Sequence, residues 1–130
     1  MTDMNEDFTR LRPPSSLPHL LIAENRFSTL EPLLNTFWDK RLRVDFEVCS
    51  THHSAVRKLL SAAPYQVIIS GAHLAALDDF LLVKRVQALD PFVPLVVTAS
   101  ATEKASARQV LEHGAFDLMT VPLAHTSKGG

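Results

Sequence analysis

The chain is poor in the residues that many functional motifs require. It has one cysteine, Cys49, and four glycines, two of which are the last two residues. A single cysteine rules out a disulfide framework and a cysteine-based zinc cluster within the chain. Gly71 and Gly114 alone are left for a backbone phosphate cradle, so the glycine-rich fingerprints of nucleotide-binding loops are absent.

An excess of charge of one sign and long apolar runs are also lacking. The 13 Lys and Arg residues stand against 14 Asp and Glu residues, a formal net charge of −1, which lacks the basic footprint typical of nucleic-acid binding. The longest unbroken apolar runs, such as Leu20–Ala23 and Leu95–Val97, are far shorter than the roughly 20 residues of a membrane helix. We therefore expect a cytoplasmic protein that binds neither nucleic acid nor membrane directly.

The sequence divides into one domain and two short flanking segments. Its 130 residues, 46% hydrophobic and 21% charged, can bury the core of a single domain. Residues 1–17 are polar and rich in proline and serine, which predicts a flexible leader. Residues 18–124 form the predicted domain, and residues 125–130 a disordered tail.

Short apolar runs recur along the predicted domain. Three of them, Leu20–Ala23, Val67–Ile69 and Leu95–Val97, are unbroken, which is typical of strands buried on both faces of a parallel sheet. The segment Val44–Val48 alternates apolar and polar residues and predicts an edge strand with one partly wet face. A weaker fifth strand is predicted over Asp117–Thr120.

Four stretches with apolar residues at helical spacing separate these strands. The first is predicted to begin near Ser28, because Ser28 and Glu31 have the spacing of a capping box. The other three are closed by Pro64, Pro91 and Gly114. Alternating strands and helices require right-handed crossovers, so we predict an α/β fold with a doubly wound, flavodoxin-like parallel sheet in the order 2-1-3-4-5.

No helical pattern follows the fifth strand. The residues after Pro122 are too few and too polar for the closing fifth helix of such folds, so we expect that helix to be missing. One face of the sheet should then keep an apolar patch that the leader, a second copy or a downstream segment covers. The predicted interaction surface lies on the fourth helix, the fifth strand and the residues after them, at Val110, Leu111, Leu118 and Leu123.

The informative polar residues are those that follow each strand, because the functional crevice of such sheets lies at the carboxyl ends of the strands. Glu24 and Asn25 follow the first strand, Ser70 ends the third, Thr98 the fourth, and Val121 and Pro122 follow the fifth. No Ser/His/Asp or Cys/His combination converges there, so we predict no catalytic residue and no enzymatic activity.

The histidines show no spacing that predicts a metal site. His52 and His53 are adjacent, and on a helix their side chains would diverge by about 100°, so the pattern predicts that they do not share a metal ion. We therefore expect no metal and no cofactor.

The strand ends and their spacing resemble the receiver domains of two-component response regulators, the CheY-like family, over roughly residues 19–123. The resemblance implies an acidic pair after strand one, a phosphate-accepting aspartate after strand three, a hydroxyl residue after strand four and a lysine before a proline after strand five. It rests on Leu20–Asn25, Ala55–Ser70, Val96–Ala99, Gly114, Ala115, Asp117 and Pro122.

Most of the chemical positions that the resemblance implies are altered. The first acid, the hydroxyl residue and the proline are matched by Glu24, Thr98 and Pro122. The second acid, the phosphoacceptor and the lysine are replaced by Asn25, Ser70 and Val121. Mg²⁺ prefers carboxylate and phosphate oxygens, and three candidate carboxylates have become one, so Mg²⁺ binding is doubtful. The resemblance thus implies a degenerate receiver.

We interpret the chain as a receiver-like domain that does not accept phosphate and acts as a regulatory protein-interaction module in phosphorelay signal transduction. We expect it to be the N-terminal part of a larger response regulator or hybrid signalling protein, with an output domain, another protein or a second copy as partner. Two alternatives stay open. One is a phosphorelay receiver with altered chemistry at Glu24 or Ser70, and the other is a flavodoxin-like domain that binds a small molecule.

Overall fold

The protein is built on a five-stranded parallel sheet, shown in a computed structural model that describes residues 17–61, 64–89 and 92–121. The strand order is β2-β1-β3-β4-β5, and every neighbouring pair is parallel. The predicted sheet and its order are therefore confirmed. The strands are β1 His19–Ala23, β2 Asp45–Cys49, β3 Val67–Gly71, β4 Leu95–Ala99 and β5 Asp117–Thr120.

Helices connect the consecutive strands. Among the described residues, no helix is both long enough and apolar enough to cross a bilayer. A 3₁₀ turn, Ala101–Glu103, precedes the last of the connecting helices. The helices are α1 Phe27–Asp39, α2 His52–Ser61, α3 Ala72–Ala75, α4 Leu77–Leu89 and α5 Lys104–Glu112.

Several predictions concern parts of the chain that lie outside the described residues. These are the leader apart from Leu17, the missing closing helix, the tail, and the site residues Pro122 and Leu123. They stay predictions.

Two apolar cores occupy the two faces of the sheet, because successive side chains of a strand point to opposite faces. The larger core lies beneath helices α2 to α5 and includes the fully buried Leu21, Ile68 and Val97. The smaller core joins Leu20, Ile22 and Ile69 to four residues of α1, which is the one helix that contributes to it in the described part of the chain. On this second face, the β-strand residues Val67, Val96 and Met119 are half-buried.

Strand β2 lies at an edge, as its alternating pattern predicts. The side chains that are more exposed are the apolar ones, Phe46 and Val48. Both pair with residues of the smaller core, while Glu47, on the other face, bonds Lys58 of α2 at 2.9 Å. The more exposed face of this strand is therefore the face on which α1 packs.

The predicted helices are present, and one predicted cap is corrected. Helix α1 begins at Phe27, next to the predicted Ser28, but Arg26 takes the extended N-cap position and its carbonyl accepts from the Thr29 and Leu30 amides. The helix predicted before Pro91 is present as α4, and the short α3 before it was not predicted. The first turn of α4 has a left-handed backbone at Asp78, Asp79 and Phe80, with φ of 54°, 58° and 61°.

Candidate functional site

Three of the predicted site residues meet at the carboxyl ends of the central strands. Glu24, Ser70 and Thr98 are 3%, 0% and 1% exposed, so the crevice here is closed to solvent. The Thr98 hydroxyl lies 3.5 Å from Glu24 Oε1, at the limit of a hydrogen bond. Because β1, β3 and β4 are adjacent and in register, the predicted convergence of these residues is present.

The Glu24 carboxylate is held by its own loop. Its Oε2 accepts hydrogen bonds from the backbone amides of Asn25 and Arg26, at 3.0 and 2.9 Å, and from Arg26 Nε at 3.2 Å. These donors satisfy a buried negative charge that would otherwise be costly to desolvate.

Arg26 joins Glu24 to a second acid that the sequence did not single out. Its Nη1 donates to Glu103 Oε2 at 2.7 Å, so one guanidinium bridges a residue after β1 and a residue after β4. Although burial favours the neutral form, the hydrogen bonds to Glu24 and Glu103 raise the pKa of Arg26. Arg26 is therefore charged throughout the physiological pH range.

Glu103 is positioned by the turn that follows β4. Its Oε1 accepts from the Ser100 backbone amide at 2.9 Å, which places Oε2 against Arg26. Burial opposes ionisation, but the Ser100 amide and the Arg26 side chain together lower the pKa of Glu103. Arg26 and Glu103 could have been found in the sequence from their positions shortly after strand ends. Arg26 is two residues after Glu24, and Glu103 is four residues after Ala99.

His73 closes the rim of the crevice. Its Nε2 lies 2.7 Å from Asn25 Oδ1 and 3.7 Å from Glu24 Oε2, and its buried Nδ1 has no hydrogen-bond partner. Burial first, and the charge of Arg26 second, lower the pKa of His73. Gly71 makes room for this packing, since a Cβ there would lie 2.5 Å from the His73 ring and 2.7 Å from Glu24 Oε1.

The positions matched to the phosphoacceptor and the lysine are apolar or internally bonded. The Ser70 hydroxyl donates to the Gly71 carbonyl at 3.0 Å. Val121 is buried, and its amide donates to the Ala99 carbonyl at 2.9 Å, which aligns the chain after β5. No positive charge can come from Val121; the cation of this site comes from Arg26 instead.

The donor set of this site does not fit the Mg²⁺ that the resemblance implies. A Mg²⁺ site in proteins is usually built from one or two carboxylates with water and phosphate oxygens. Here the Glu24 Oε2 atom already faces a guanidinium, Asn25 Oδ1 faces His73, and Ser70 offers no carboxylate. A divalent cation would have to displace Arg26 from Glu24.

The predicted interaction surface is only partly a surface. Val110 is 0% exposed, so its assignment to a surface is wrong: the apolar side of α5 packs into the larger core. Leu111 and Leu118 are half-buried, and Leu118 packs against the same core.

A different apolar surface lies at the end of α1. Phe37 turns into the smaller core, whereas Trp38 is 82% exposed. Trp38 borders two open cavities of about 680 and 510 Å³, and both cavities are also lined by Leu42 and Arg43. We call Trp38, Leu42 and Arg43 the α1-end surface. The sequence could not say which of the two adjacent aromatic residues would face solvent.

The prediction that His52 and His53 diverge is wrong. Their ring centroids lie 4.1 Å apart with the planes tilted by 35°, and both Nε2 atoms approach Asp78 Oδ2, at 2.7 and 3.1 Å. The two histidines are the first residues of α2, and both side chains turn toward the carboxylate of Asp78, a partner that the spacing along the helix could not reveal.

Comparison with known proteins identifies the fold. No protein-family model and no curated protein sequence matches the chain. Solved structures do match. Full-length FixJ from B. japonicum is 18% identical with a TM-score of 0.66, over 85% of this chain and 53% of FixJ, so the chain spans about half the length of that protein.

Two receiver domains match over most of their length. The receiver domain of Francisella response regulator 1452 is 19% identical with a TM-score of 0.64, over 82% of this chain and 86% of that one. The receiver domain of the sensor histidine kinase PA1611 from Pseudomonas aeruginosa PAO1, solved with a magnesium ion in its active-site cleft, is 16% identical. Its TM-score is 0.68, over 85% of this chain and 88% of that one. The chain therefore has the fold of response-regulator receiver domains.

Proposed function

We propose that this chain is a pseudo-receiver: a cytoplasmic signalling domain that keeps the receiver fold, does not accept a phosphoryl group, has no enzymatic activity and regulates a partner by binding it. The observation that carries the proposal is the Glu24–Arg26–Glu103 bridge, which places a permanent internal cation against the one acid retained at the strand ends.

Because of this bridge, the positive charge of Arg26 is not available to bind a phosphoryl group. Catalysis of phosphoryl transfer depends on positioning and on charges aimed at the transferring oxygens. In this site Arg26 is already engaged by two carboxylates, and the position of the family lysine holds the apolar Val121. The cation of the crevice is paired with its two acids and is not free to meet an incoming ligand.

The two alternatives find less support in the geometry. Altered phosphoacceptor chemistry needs a reachable nucleophile, but Ser70 is fully buried and bonded to a backbone carbonyl, and Glu24 is saturated with donors. A small-molecule site needs an open pocket with convergent polar groups. The polar groups at these strand ends converge, but they are buried and leave no open pocket between them.

Treatment with acetyl phosphate and Mg²⁺, followed by intact mass measurement, tests the first half of the proposal. We expect no added phosphoryl mass on the wild-type chain, with a receiver that has an intact acidic pocket as the positive control. A stoichiometric adduct would contradict the proposal. An adduct that is lost in Ser70→Ala or in Glu24→Gln would assign the altered chemistry to that residue.

The α1-end surface is our candidate for partner binding. Exposed tryptophan and arginine residues are enriched at the energetic centres of protein interfaces, and Trp38 stands beside Arg43 and between two cavities. This surface also adjoins Phe46 on the wet face of β2, which extends the apolar area. We infer that the partner presents an apolar side chain with acidic neighbours, or that a second copy docks here.

Sedimentation at increasing protein concentration separates these two occupants. If a second copy docks, the wild-type sedimentation coefficient rises with concentration and that of Trp38→Ala does not. Leu60→Ala, which removes another exposed apolar side chain on α2, is the matched control and should behave as wild type. A wild-type chain that stays monomeric throughout would exclude the homodimer.

A further inference from the structure

A second cluster of titratable groups lies apart from the Glu24 crevice. His52 and His53 of α2 face Asp78, which begins the left-handed turn after α3. The two Nε2 atoms and the carboxylate oxygen all lie within 4.8 Å of one another. Within the described residues, this is the one group of three or more His, Cys, Asp or Glu side chains that converges in this way.

The spacing of the three atoms suits one shared metal ion. Zinc binds imidazole nitrogen and carboxylate oxygen at about 2.0–2.2 Å, so two tetrahedral ligands lie roughly 3.3 Å apart. The measured separations of 2.7 Å and 3.1 Å between the Nε2 atoms and Oδ2 are within a small side-chain adjustment of that value. Two imidazoles and one carboxylate are a donor set that favours zinc and neighbouring transition metals over Mg²⁺.

The cluster is anchored on one side and open on the other. The His52 side chain is 9% exposed, whereas those of His53 and Asp78 are 61% and 55% exposed. A buried ligand fixes the geometry, and the exposed side leaves room for an entering ion and a water molecule.

The backbone at Asp78 adds a second, independent observation. Asp78, Asp79 and Phe80 all have positive φ, a conformation that is unfavourable for residues other than glycine. The turn is held by the stacking of Phe80 on His113, with ring centroids 3.8 Å apart, and by the ion pair of Asp79 with Lys84 at 2.8 Å. Such outliers are concentrated at functional sites, and this one aims the Asp78 carboxylate at the two histidines.

We propose that His52, His53 and Asp78 form a binding site for one divalent transition-metal ion of the Zn²⁺ class, with water completing the coordination. In the metal-bound form Nε2 of each ring ligates the ion and the remaining ring proton is on Nδ1. The ion would link the start of α2 to the first turn of α4, and it would stiffen the face of the domain opposite α1. This site is independent of the phosphoacceptor positions.

Calorimetric titration of the untagged, chelator-treated full chain with Zn²⁺ tests the proposal. We expect one ion per chain. His53→Gln and Asp78→Asn should each reduce the Zn²⁺ affinity more than about tenfold, because tenfold is the smaller of the losses typical even of residues that only support a metal ligand. Asn tolerates the left-handed backbone, so Asp78→Asn keeps the turn. Titration with Co²⁺ provides an optical readout of the same coordination.

Asp79→Asn is the matched control, because it removes the same charge one residue further along in the same turn. It should bind Zn²⁺ like the wild type, and His113 should keep its imidazole NMR resonances on Zn²⁺ addition while those of His52 and His53 shift. Absence of Zn²⁺ binding to the wild type would overturn the proposal. So would binding that survives both His53→Gln and Asp78→Asn unchanged, with each variant folded by circular dichroism.

Discussion

Two of the clusters in which carboxylates meet nitrogen bases, both among the described residues, are closed to solvent to different degrees. In the Glu24 crevice the base is Arg26, whose fixed positive charge bridges two acids in a largely buried setting. In the second cluster the bases are His52 and His53, which share one oxygen of an exposed carboxylate. The same kinds of group therefore form an internally paired, mostly buried site in one place and an exposed set of side chains in the other.

The difference follows from the chemistry of the bases. A guanidinium has no lone pair to offer a metal and cannot be deprotonated in a protein, so a carboxylate paired with it is already committed. Imidazole exchanges its proton near neutral pH and can become a metal ligand.

Removing the bridging cation should have the largest effect. Arg26→Ala leaves Glu24 buried without its charged partner, so we expect the free energy of unfolding to fall by about 2–4 kcal/mol in urea denaturation at pH 7. Arg26→Lys keeps the charge without the two-sided geometry and should lose less. Arg57→Ala, at an exposed position of α2, is the control; a loss as small as that of the control would show that the bridge is not stabilising.

Filling the space at Gly71 should have the next largest effect. The Gly71→Ala methyl group meets the His73 ring and Glu24 Oε1, so we expect a loss of about 1–3 kcal/mol in unfolding free energy. The double variant Gly71→Ala/His73→Ala should recover part of this loss, since the ring is the closer of the two obstacles. Strictly additive losses in this double-mutant cycle would contradict the predicted packing.

The contribution of Glu103 should depend on pH. Its pKa is lower in the folded than in the unfolded chain, so the unfolded state takes up the proton first and stability is lost as pH falls. We expect Glu103→Gln to be less stable than wild type by about 1 kcal/mol at pH 7. The gap should close below the usual glutamate pKa of about 4.3. Unfolding curves between neutral pH and pH 3.5 measure it; a constant gap would argue against the ion pair.

The open cluster should contribute least to stability in the absence of metal. His53 is mostly exposed, so we expect His53→Gln to change the free energy of unfolding by less than about 0.5 kcal/mol without Zn²⁺. The same variant should then lose most of the rise in unfolding temperature that Zn²⁺ gives the wild type. A large loss of unfolding free energy in the absence of Zn²⁺ would mean that the cluster stabilises the fold without a metal ion.

Periodicity was sufficient for the architecture. The unbroken runs at β1, β3 and β4 and the alternating run at β2 led to the correct strand order, because burial on both faces and edge position leave different patterns in sequence. Gly114, with φ of 123°, ends α5 as predicted. The turn at Asp78 to Phe80 escaped prediction, since no glycine announces its left-handed backbone.

The sequence by itself determined the sheet, its order and the residue types at the strand ends, since these depend on local pattern and residue identity. Only the tertiary structure decided which side chains these residues meet. Arg26 meets Glu103, and His53 meets Asp78, across 77 and 25 positions of the chain, and such pairs form only when the fold has brought distant loops to one edge. A side chain's partner is set by packing in three dimensions, which spacing along one strand or helix does not encode.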